Sequence, residues 1–249
     1  MYERNRIYIN SEEQGKIKDF PILFAGLGVG SVIAECALRL GFENLTLVDG
    51  DIVEGNNLNR QNYRKADISC TKAESLYKRL ISINPTSKIQ FSTTYLDRSN
   101  IPKWVEGHQV VINALDFDTE APLFLDEYCR QNQIPVLHPY NLGWAGAVAV
   151  VDHQSLPLQS IIDKTESFTE VTMVEYIKGH LRYWGSPEIW LEEVLTAYIN
   201  EKPQLSPPQL SIGSWILASM CTHILFNLAT DLKVKKFPDF YFSKLSDDI

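Results

Sequence analysis

Residues 21–61 read PILFAGLGVGSVIAECALRLGFENLTLVDGDIVEGNNLNRQ, and this stretch decides the fold. A short apolar run, Pro21 to Ala25, ends in Gly26, Leu27, Gly28, Val29, Gly30 and Ser31. An amphipathic segment follows to Leu40, then Gly41, then a second apolar run from Leu45 to Val48 that closes on Asp49. Strand, glycine turn, helix, strand and acid in that order make half of a nucleotide-binding α/β unit. The glycines let the backbone approach a phosphate. A helix beginning near Val29 aims its free N–H groups and positive dipole end at the anion. Asp49 stands where such units place a carboxylate on ribose hydroxyls.

The spacing G-x-G-x-G-S departs from the usual G-x-G-x-x-G, and taken alone it fits either a nucleotide or a merely tight βα turn. The run after it discriminates. Asp49-Gly-Asp51-Ile-Val-Glu54-Gly-Asn-Asn57-Leu-Asn-Arg60-Gln61 adds acids, an amide, an arginine and a glutamine, and Lys72 comes after it. A dehydrogenase uses this region for a plain second strand. The set here suits a triphosphate and its metal better than a pyrophosphate. On these residues the chain resembles the ThiF/MoeB superfamily, the ATP-dependent adenylating enzymes related to ubiquitin-activating enzymes. Asp49, Asp51, Val53, Glu54, Asn57, Leu58, Arg60, Gln61, Lys72 and Asp116 carry the resemblance in that order. It extends more thinly over about residues 4–151 and 207–245.

The resemblance implies a Rossmann-like α/β fold: a mainly parallel sheet with helices on both faces, continuing into antiparallel strands, plus a helical crossover insertion. It implies one adenylating domain over residues 1–249, with an N-terminal arm at 1–19 and the crossover at 152–207. It also implies Mg²⁺–ATP as cofactor and adenylation of a carboxyl group, on the C-terminus of a small ubiquitin-like carrier protein or on a peptide. The glycines Gly26, Gly28 and Gly30 and the acid Asp49 would hold the nucleotide, Asp49 on the ribose. Asn57, Arg60, Gln61 and Lys72 would surround the phosphates, and Asp116 would bind magnesium. Asp51 either joins them or simply braces its loop. In the family an arginine of the N-terminal arm reaches across a homodimer to the partner's phosphates. Arg6 is the candidate, against the alternative that Arg4 and Arg6 are solvated surface residues.

Composition is that of a soluble globular chain: 45% hydrophobic and 22% charged residues. A net charge of −8 argues against a nucleic-acid partner. The opening MYERNRIYIN lacks the apolar segment of a secretory signal, so a cytoplasmic protein is expected. Cys36, Cys70, Cys129 and Cys221 are scattered with no C-x-x-C pair, so no zinc is expected. No cysteine lies between 130 and 220, where many family members carry the thiol of a thioester or persulfide relay. That departure predicts a reaction that stops at the acyl-adenylate or passes it directly to an external nucleophile.

Farther along, Lys72 to Ser82 predicts a helix with Ala73, Leu76, Leu80 and Ile81 on one face. Lys72 in its first turn opposes the helix dipole unless an anion sits nearby. Ile89 to Tyr95 predicts a strand, and Gln109 to Leu115 a buried parallel one whose end presents Asp116 to the crevice. A helix over Asp118 to Gln131 and strands at Ile134 to Leu137 and Ala145 to Val151 follow. His138 reads as a packed residue rather than a catalyst. Tyr140, Asn141 and Trp144 are placed on one turn, beside the acceptor. Gln209 to Thr230 nearly matches a membrane span of roughly twenty residues, but its serines, threonine, histidine and asparagine favour a core or dimer-interface helix. Asp239 to Lys244 alternates as a last strand. Two other readings stand: an NAD-binding oxidoreductase, which would not need Asn57, Arg60 and Lys72, and a non-catalytic partner subunit with a degraded site.

Overall fold

The computed structural model describes residues 1–163, 167–203 and 205–245. After a single 3-10 turn at Glu3–Asn5, helix α1 spans Ser11–Asp19. Asn10 starts it: its Oδ1 accepts from the Glu13 N–H at 3.0 Å, and Glu13 accepts from the Asn10 N–H at 2.9 Å. The chain continues as β1 (Pro21–Ala25), α2 (Gly30–Leu40), β2 (Asn44–Val48), α3 (Lys72–Ile83), β3 (Lys88–Ser92), α4 (Ile101–Val105), β4 (Val110–Asn113) and α5 (Ala121–Gln131). Then come β5 (Val136–Asn141), β6 (Ala145–Val151), the crossover helices α6 (Glu170–Tyr183) and α7 (Ile189–Asn200), α8 (Ser211–Ala229) and β7 (Phe240–Lys244).

All strands join one sheet in the order β3-β2-β1-β4-β5-β6-β7. β1 to β5 run parallel, with Leu23 beside Thr46 of β2 and Val111 of β4. β6 and β7 turn antiparallel, with Ala147 between Tyr140 and Phe242. The strand order reverses between β1 and β4, and a ligand crevice opens outside the carboxyl ends of strands at such a point.

Alternation along each strand assigns the layers. Ile22, Phe24, Leu45 and Leu47 pack with α2, α3 and α8 on one face. Leu23, Ala25, Val48 and Val111 pack with α4 and α5 on the other. In β6, Val148 and Val150 join the α8 side, while Ala145, Ala147, Ala149 and Val151 face Met173 and Ile177 of α6 and Leu191 of α7. The crossover is therefore the second cover of the antiparallel end.

Two sequence-based expectations change, and one short helix has no counterpart in the sequence reading. β5 does not stop at Leu137 but runs through Pro139 to Asn141. Its pairing with β4 ends at Leu137, so beyond that point one side is unpaired and a proline is tolerated. Tyr140 and Asn141 thus sit in a strand, not in a turn with Trp144. The short α4 lies in a stretch with no helical period long enough to read. Helix α8 passes the length and composition test for a membrane span, yet it packs on α2, β5 and β6 and most of it is buried. Trp215 is its one exposed large apolar side chain. Apart from Trp215 its apolar surface is largely covered within the chain, as the core reading expects.

The three glycines are not equivalent. Gly26 has φ +86°, and a Cβ there would lie 2.4 Å from the Ala114 carbonyl oxygen. Backbone-to-backbone approach at the β1–β4 junction needs glycine. A Cβ on Gly30 would meet only ordinary contacts at 3.8 Å or more. Gly26→Ala is expected to cost roughly 3 kcal/mol. Gly30→Ala, in a helix, is expected to stabilise by about 0.5–1 kcal/mol. Urea unfolding of the two variants separates these outcomes, and equal effects would contradict the assignment.

Glu35 of α2 is a second constraint. It is buried and accepts from Arg39 Nε at 2.9 Å, from Arg79 Nε and from Asn62 Nδ2, tying α2, α3 and the loop after Gln61. Burial raises its carboxyl pKa, but the two guanidinium groups outweigh this and hold it below the ordinary 4.5. A depressed folded-state pKa gives stability that is full above 4.5 and is lost as pH falls through the folded value. Glu35→Gln is expected to cost about 2 kcal/mol at neutral pH. The gap to wild type in denaturant titrations should narrow as pH falls below 4.5; a gap constant with pH would show that the charge contributes nothing.

Candidate active site

The crevice is built from loops at the ends of β1, β2 and β4. The turn after β1 leaves β1 through Gly26, whose N–H donates to Val48 O at 3.0 Å. Asp49 holds it from the end of β2. Its Oδ2 accepts from the Leu27 N–H at 2.6 Å and its Oδ1 from the Asp51 N–H at 2.8 Å. Burial pushes the Asp49 carboxyl pKa up, with Lys72 pulling the other way. Asp49 thus braces two loops with both oxygens, each of which keeps a lone pair for a hydroxyl donor.

The free donors lie around Val29, where the sequence reading starts the helix. Within α2, the N–H groups of Ser31, Val32 and Ile33 are already bonded to Gly28 O and Val29 O. The N–H groups of Gly28, Val29 and Gly30 make no hydrogen bond among the described residues.

The loop after β2 folds back over this turn. Tyr63 donates its hydroxyl to Leu27 O at 2.9 Å, and the Asn62 N–H donates to Ser31 Oγ at 3.0 Å. Asn57 is buried, its Oδ1 accepting from the Glu54 N–H at 2.9 Å. Its carbonyl takes the N–H groups of Arg60 and Gln61. Gln61 is thereby laid against the glycine turn, its Nε2 3.3 Å from where a Gly28 Cβ would stand. Gln61 Oε1 is buried with no partner among the described residues. A buried orphan acceptor beside unbonded N–H groups is what a missing polar ligand or water leaves behind.

Residues 51–53 pair with 69–72: the Lys72 N–H donates to Asp51 O at 2.9 Å and the Val53 N–H to Cys70 O at 2.8 Å. This brings Lys72, buried at the start of α3, to 2.8 Å from Asp51 Oδ2. Asp51 is the anion that offsets the unfavourable dipole position of Lys72. Asp51 also accepts from the Tyr95 hydroxyl at 3.1 Å. Burial raises the Asp51 carboxyl, but Lys72 and Tyr95 outweigh it and hold the pKa down. The Tyr95 ring crosses Gly50 so closely that a Cβ there would lie 2.5 Å from it.

Arg60 is half-buried. Its Nε donates to Gln209 Oε1 at 2.6 Å, and its NH1 donates to Asn56 O and Asn59 Oδ1, both at 2.9 Å. Desolvation lowers the guanidinium pKa, and the Asp116 carboxylate across the crevice opposes that. Asp116 follows β4 and accepts no hydrogen bond among the described residues. Desolvation first, then Glu170 and Asp118, push its pKa above the ordinary range. Glu170, opening α6, accepts from the Phe117 N–H at 2.9 Å, so the crossover touches the segment next to Asp116.

Arg6 stands apart. It is exposed on the N-terminal arm and donates to Glu3 O at 3.0 Å in its own turn. His138 is buried, its Nε2 2.9 Å from Asp126 Oδ1 and its ring stacked on Phe117 and Tyr140. Asn141 holds the start of α8 through Leu210 O at 2.9 Å and Ser214 Oγ at 3.0 Å.

The crevice suits a magnesium triphosphate. Among the described residues no group of three or more His, Cys, Asp or Glu forms a metal cage. Magnesium is commonly held by one or two carboxylates together with phosphates and water, which is what Asp116 alone can serve. Two side chains escaped the sequence reading. Tyr95 ends the β3 segment as Asp116 ends that of β4, a positional signal that was available. Gln209 reaches Arg60 from 149 residues away, and no local pattern announces it.

A sequence profile of the ThiF family matches residues 2–240. The tRNA threonylcarbamoyladenosine dehydratase of Escherichia coli K12 is 34% identical over 122 residues, 48% of this chain and 45% of that one. The SAMP-activating enzyme E1 of Haloferax volcanii is 31% identical over 133 residues, 52% of this chain and 48% of that one. The chain thus spans about half the length of these curated relatives. Among solved structures, E. coli MccB with AMPCPP and MccA superposes with TM-score 0.65 at 16% identity, over 88% of this chain and 58% of that one. E. coli TcdA gives TM-score 0.65 at 19% identity, over 91% of this chain and 92% of that one. These structures share the fold, and the profile match over residues 2–240 places the chain in the ThiF family.

Proposed function

We propose that the chain is an ATP-dependent adenylyltransferase acting on a carboxyl group, at the C-terminus of a small carrier protein or of a peptide. The observation that carries this reading is that Gln61 lies against the unbonded turn at Gly28 while Arg60 and Lys72 both act electrostatically on Asp116 at the end of the neighbouring strand. Relatives support it: one is named a SAMP-activating enzyme and another a molybdopterin-synthase adenylyltransferase, and MccB was solved with a nucleotide analogue and MccA. A cytoplasmic homodimer, with Arg6 of one copy serving the other, belongs to the same proposal.

The chemistry asked of the residues is electrostatic. A substrate carboxylate oxygen attacks the α-phosphorus, the bond to the bridging oxygen breaks, and pyrophosphate leaves with the electron pair. The N–H groups of Gly28, Val29 and Gly30 face the phosphates, and Arg60 and Lys72 stabilise charge on the leaving group. Asp49 accepts from the ribose. Asp116 would hold magnesium, which when bound gathers the phosphate oxygens.

Calorimetry should show binding of Mg²⁺–ATP and little or no binding of NAD. Tight NAD binding without ATP binding would favour the oxidoreductase reading. With a competent acceptor, Arg60→Ala and Lys72→Ala are each expected to lower pyrophosphate exchange by about a hundredfold. Normal exchange in both folded variants would show that the phosphates are held elsewhere.

No enzyme thioester is expected. Cys129 and Cys221 are buried, and desolvation drives both thiols far toward the protonated form. Cys36 is partly buried in α2, and burial raises its thiol too. Cys70 is exposed, two residues before Lys72. Intact mass spectrometry after incubation with ATP and a carrier that supports exchange should show no thiol-sensitive adduct. An adduct lost in Cys70→Ser together with turnover would make Cys70 the nucleophile.

A further inference from the structure

The chain returning from the crossover grips the Arg60 loop twice. Gln209 Oε1 accepts from Arg60 Nε at 2.6 Å, and Gln209 O accepts from Asn59 Nδ2 at 3.3 Å. With NH1 taken by Asn56 O and Asn59 Oδ1, the guanidinium is held through two of its three nitrogens. The remaining nitrogen, NH2, makes no hydrogen bond among the described residues. A guanidinium is a rigid planar fork, so fixing two nitrogens fixes the direction of the donors on the third.

Gln209 is itself supported. The next residue, Leu210, accepts through its carbonyl from Asn141 Nδ2 at 2.9 Å. Gly213 packs so tightly below that a Cβ would lie 2.3 Å from Asn141 Oδ1 and 2.8 Å from Gly143 O. The end of β5 and the first turn of α8 thus form a fixed mount, with Gln209 at its tip.

We propose that Gln209 is a positioning residue for Arg60. It turns the free N–H donors of the guanidinium toward the triphosphate and makes phosphate handling depend on the segment that returns from residues 152–207. This rests on the adenylyltransferase reading above. A glutamine serves better here than an acid. It accepts one hydrogen bond without neutralising the cation, so the full charge of Arg60 stays available for phosphate.

The test is calorimetric titration of Mg²⁺–ATP and of AMP into wild type, Gln209→Met, Gln209→Glu, Arg60→Ala and the Arg60→Ala/Gln209→Met double variant. Methionine keeps the shape and removes the acceptor; glutamate keeps the acceptor. Gln209→Met should weaken Mg²⁺–ATP by about tenfold, the loss of one hydrogen bond to a charged group, and leave AMP unchanged. Gln209→Glu, which restores the acceptor but sets a carboxylate against the cation, should recover only part of that loss. In the Arg60→Ala background, Gln209→Met should add nothing, because the two act as one unit. An unchanged or tighter ATP affinity in Gln209→Met, an equal loss for ATP and AMP, or full additivity in the double variant would each overturn the proposal. Wild type that binds no Mg²⁺–ATP would overturn the adenylyltransferase reading, and this one with it.

Discussion

One buried carboxylate sets the geometry on which the rest depends. Asp49 spends both oxygens on backbone N–H groups, one in the turn after β1 and one in the loop after β2. Those loops belong to neighbouring parallel strands, and Asp49 joins them at the strand ends, with Tyr63 and Asn62 joining them farther out. Charge-assisted bonds to N–H groups are short and strong, and Asp49 is almost wholly shielded from water. With Leu27 fixed, the next three N–H groups are left unbonded among the described residues. With Asp51 fixed, Lys72 is fixed too, since Asp51 holds it both through the backbone and through the side chain. Asp49 therefore braces the crevice whether or not it also meets a ribose.

Most of the fold was legible because the strands carry their layer assignment in alternation. Ile22 and Phe24 against Leu23 and Ala25 already say that β1 is covered on both faces. The glycine turn and the acids after it located the crevice, because a strand end, a turn and a carboxylate are close in sequence as well as in space. What failed to show was non-local. The extension of β5 through Pro139 depends on β4 having ended, which is a fact about another strand. The cover of α8 depends on α2, β5 and β6 together, so its apolar length read equally as core or interface. The contact between Gln209 and Arg60 has no period or motif behind it at all.

The crossover illustrates why composition alone misleads about a segment's role. Its lack of cysteine removes one chemistry, but the segment still reaches the crevice at both ends. Glu170 at the start of α6 binds the backbone beside Asp116, and Gln209 before α8 binds Arg60. Between them, α6 and α7 cover the antiparallel half of the sheet. An element that closes the core cannot drift independently of the residues at its two ends. The crossover is thus built into the crevice rather than hung beside it.

Under the proposed function the acids of the crevice pose the sharpest electrostatic question, because a phosphate would have to enter past Asp49, Asp51, Asp116 and Glu170. Free carboxylates there would repel it. They are not all free. Asp49 is taken by N–H groups, Glu170 is bonded to the Phe117 N–H, and Asp51 is paired with Lys72. Each pairing lowers the field a phosphate would meet and also holds a donor or cation in place before any ligand arrives, which is the preorganisation that electrostatic catalysis requires. Asp116 alone accepts nothing within the described chain, and its surroundings disfavour its charge. Under the proposed function a divalent cation there would relieve the repulsion from Glu170 and Asp118. Asp116, unpaired among the described residues, is then the acid at which magnesium would do the most electrostatic good.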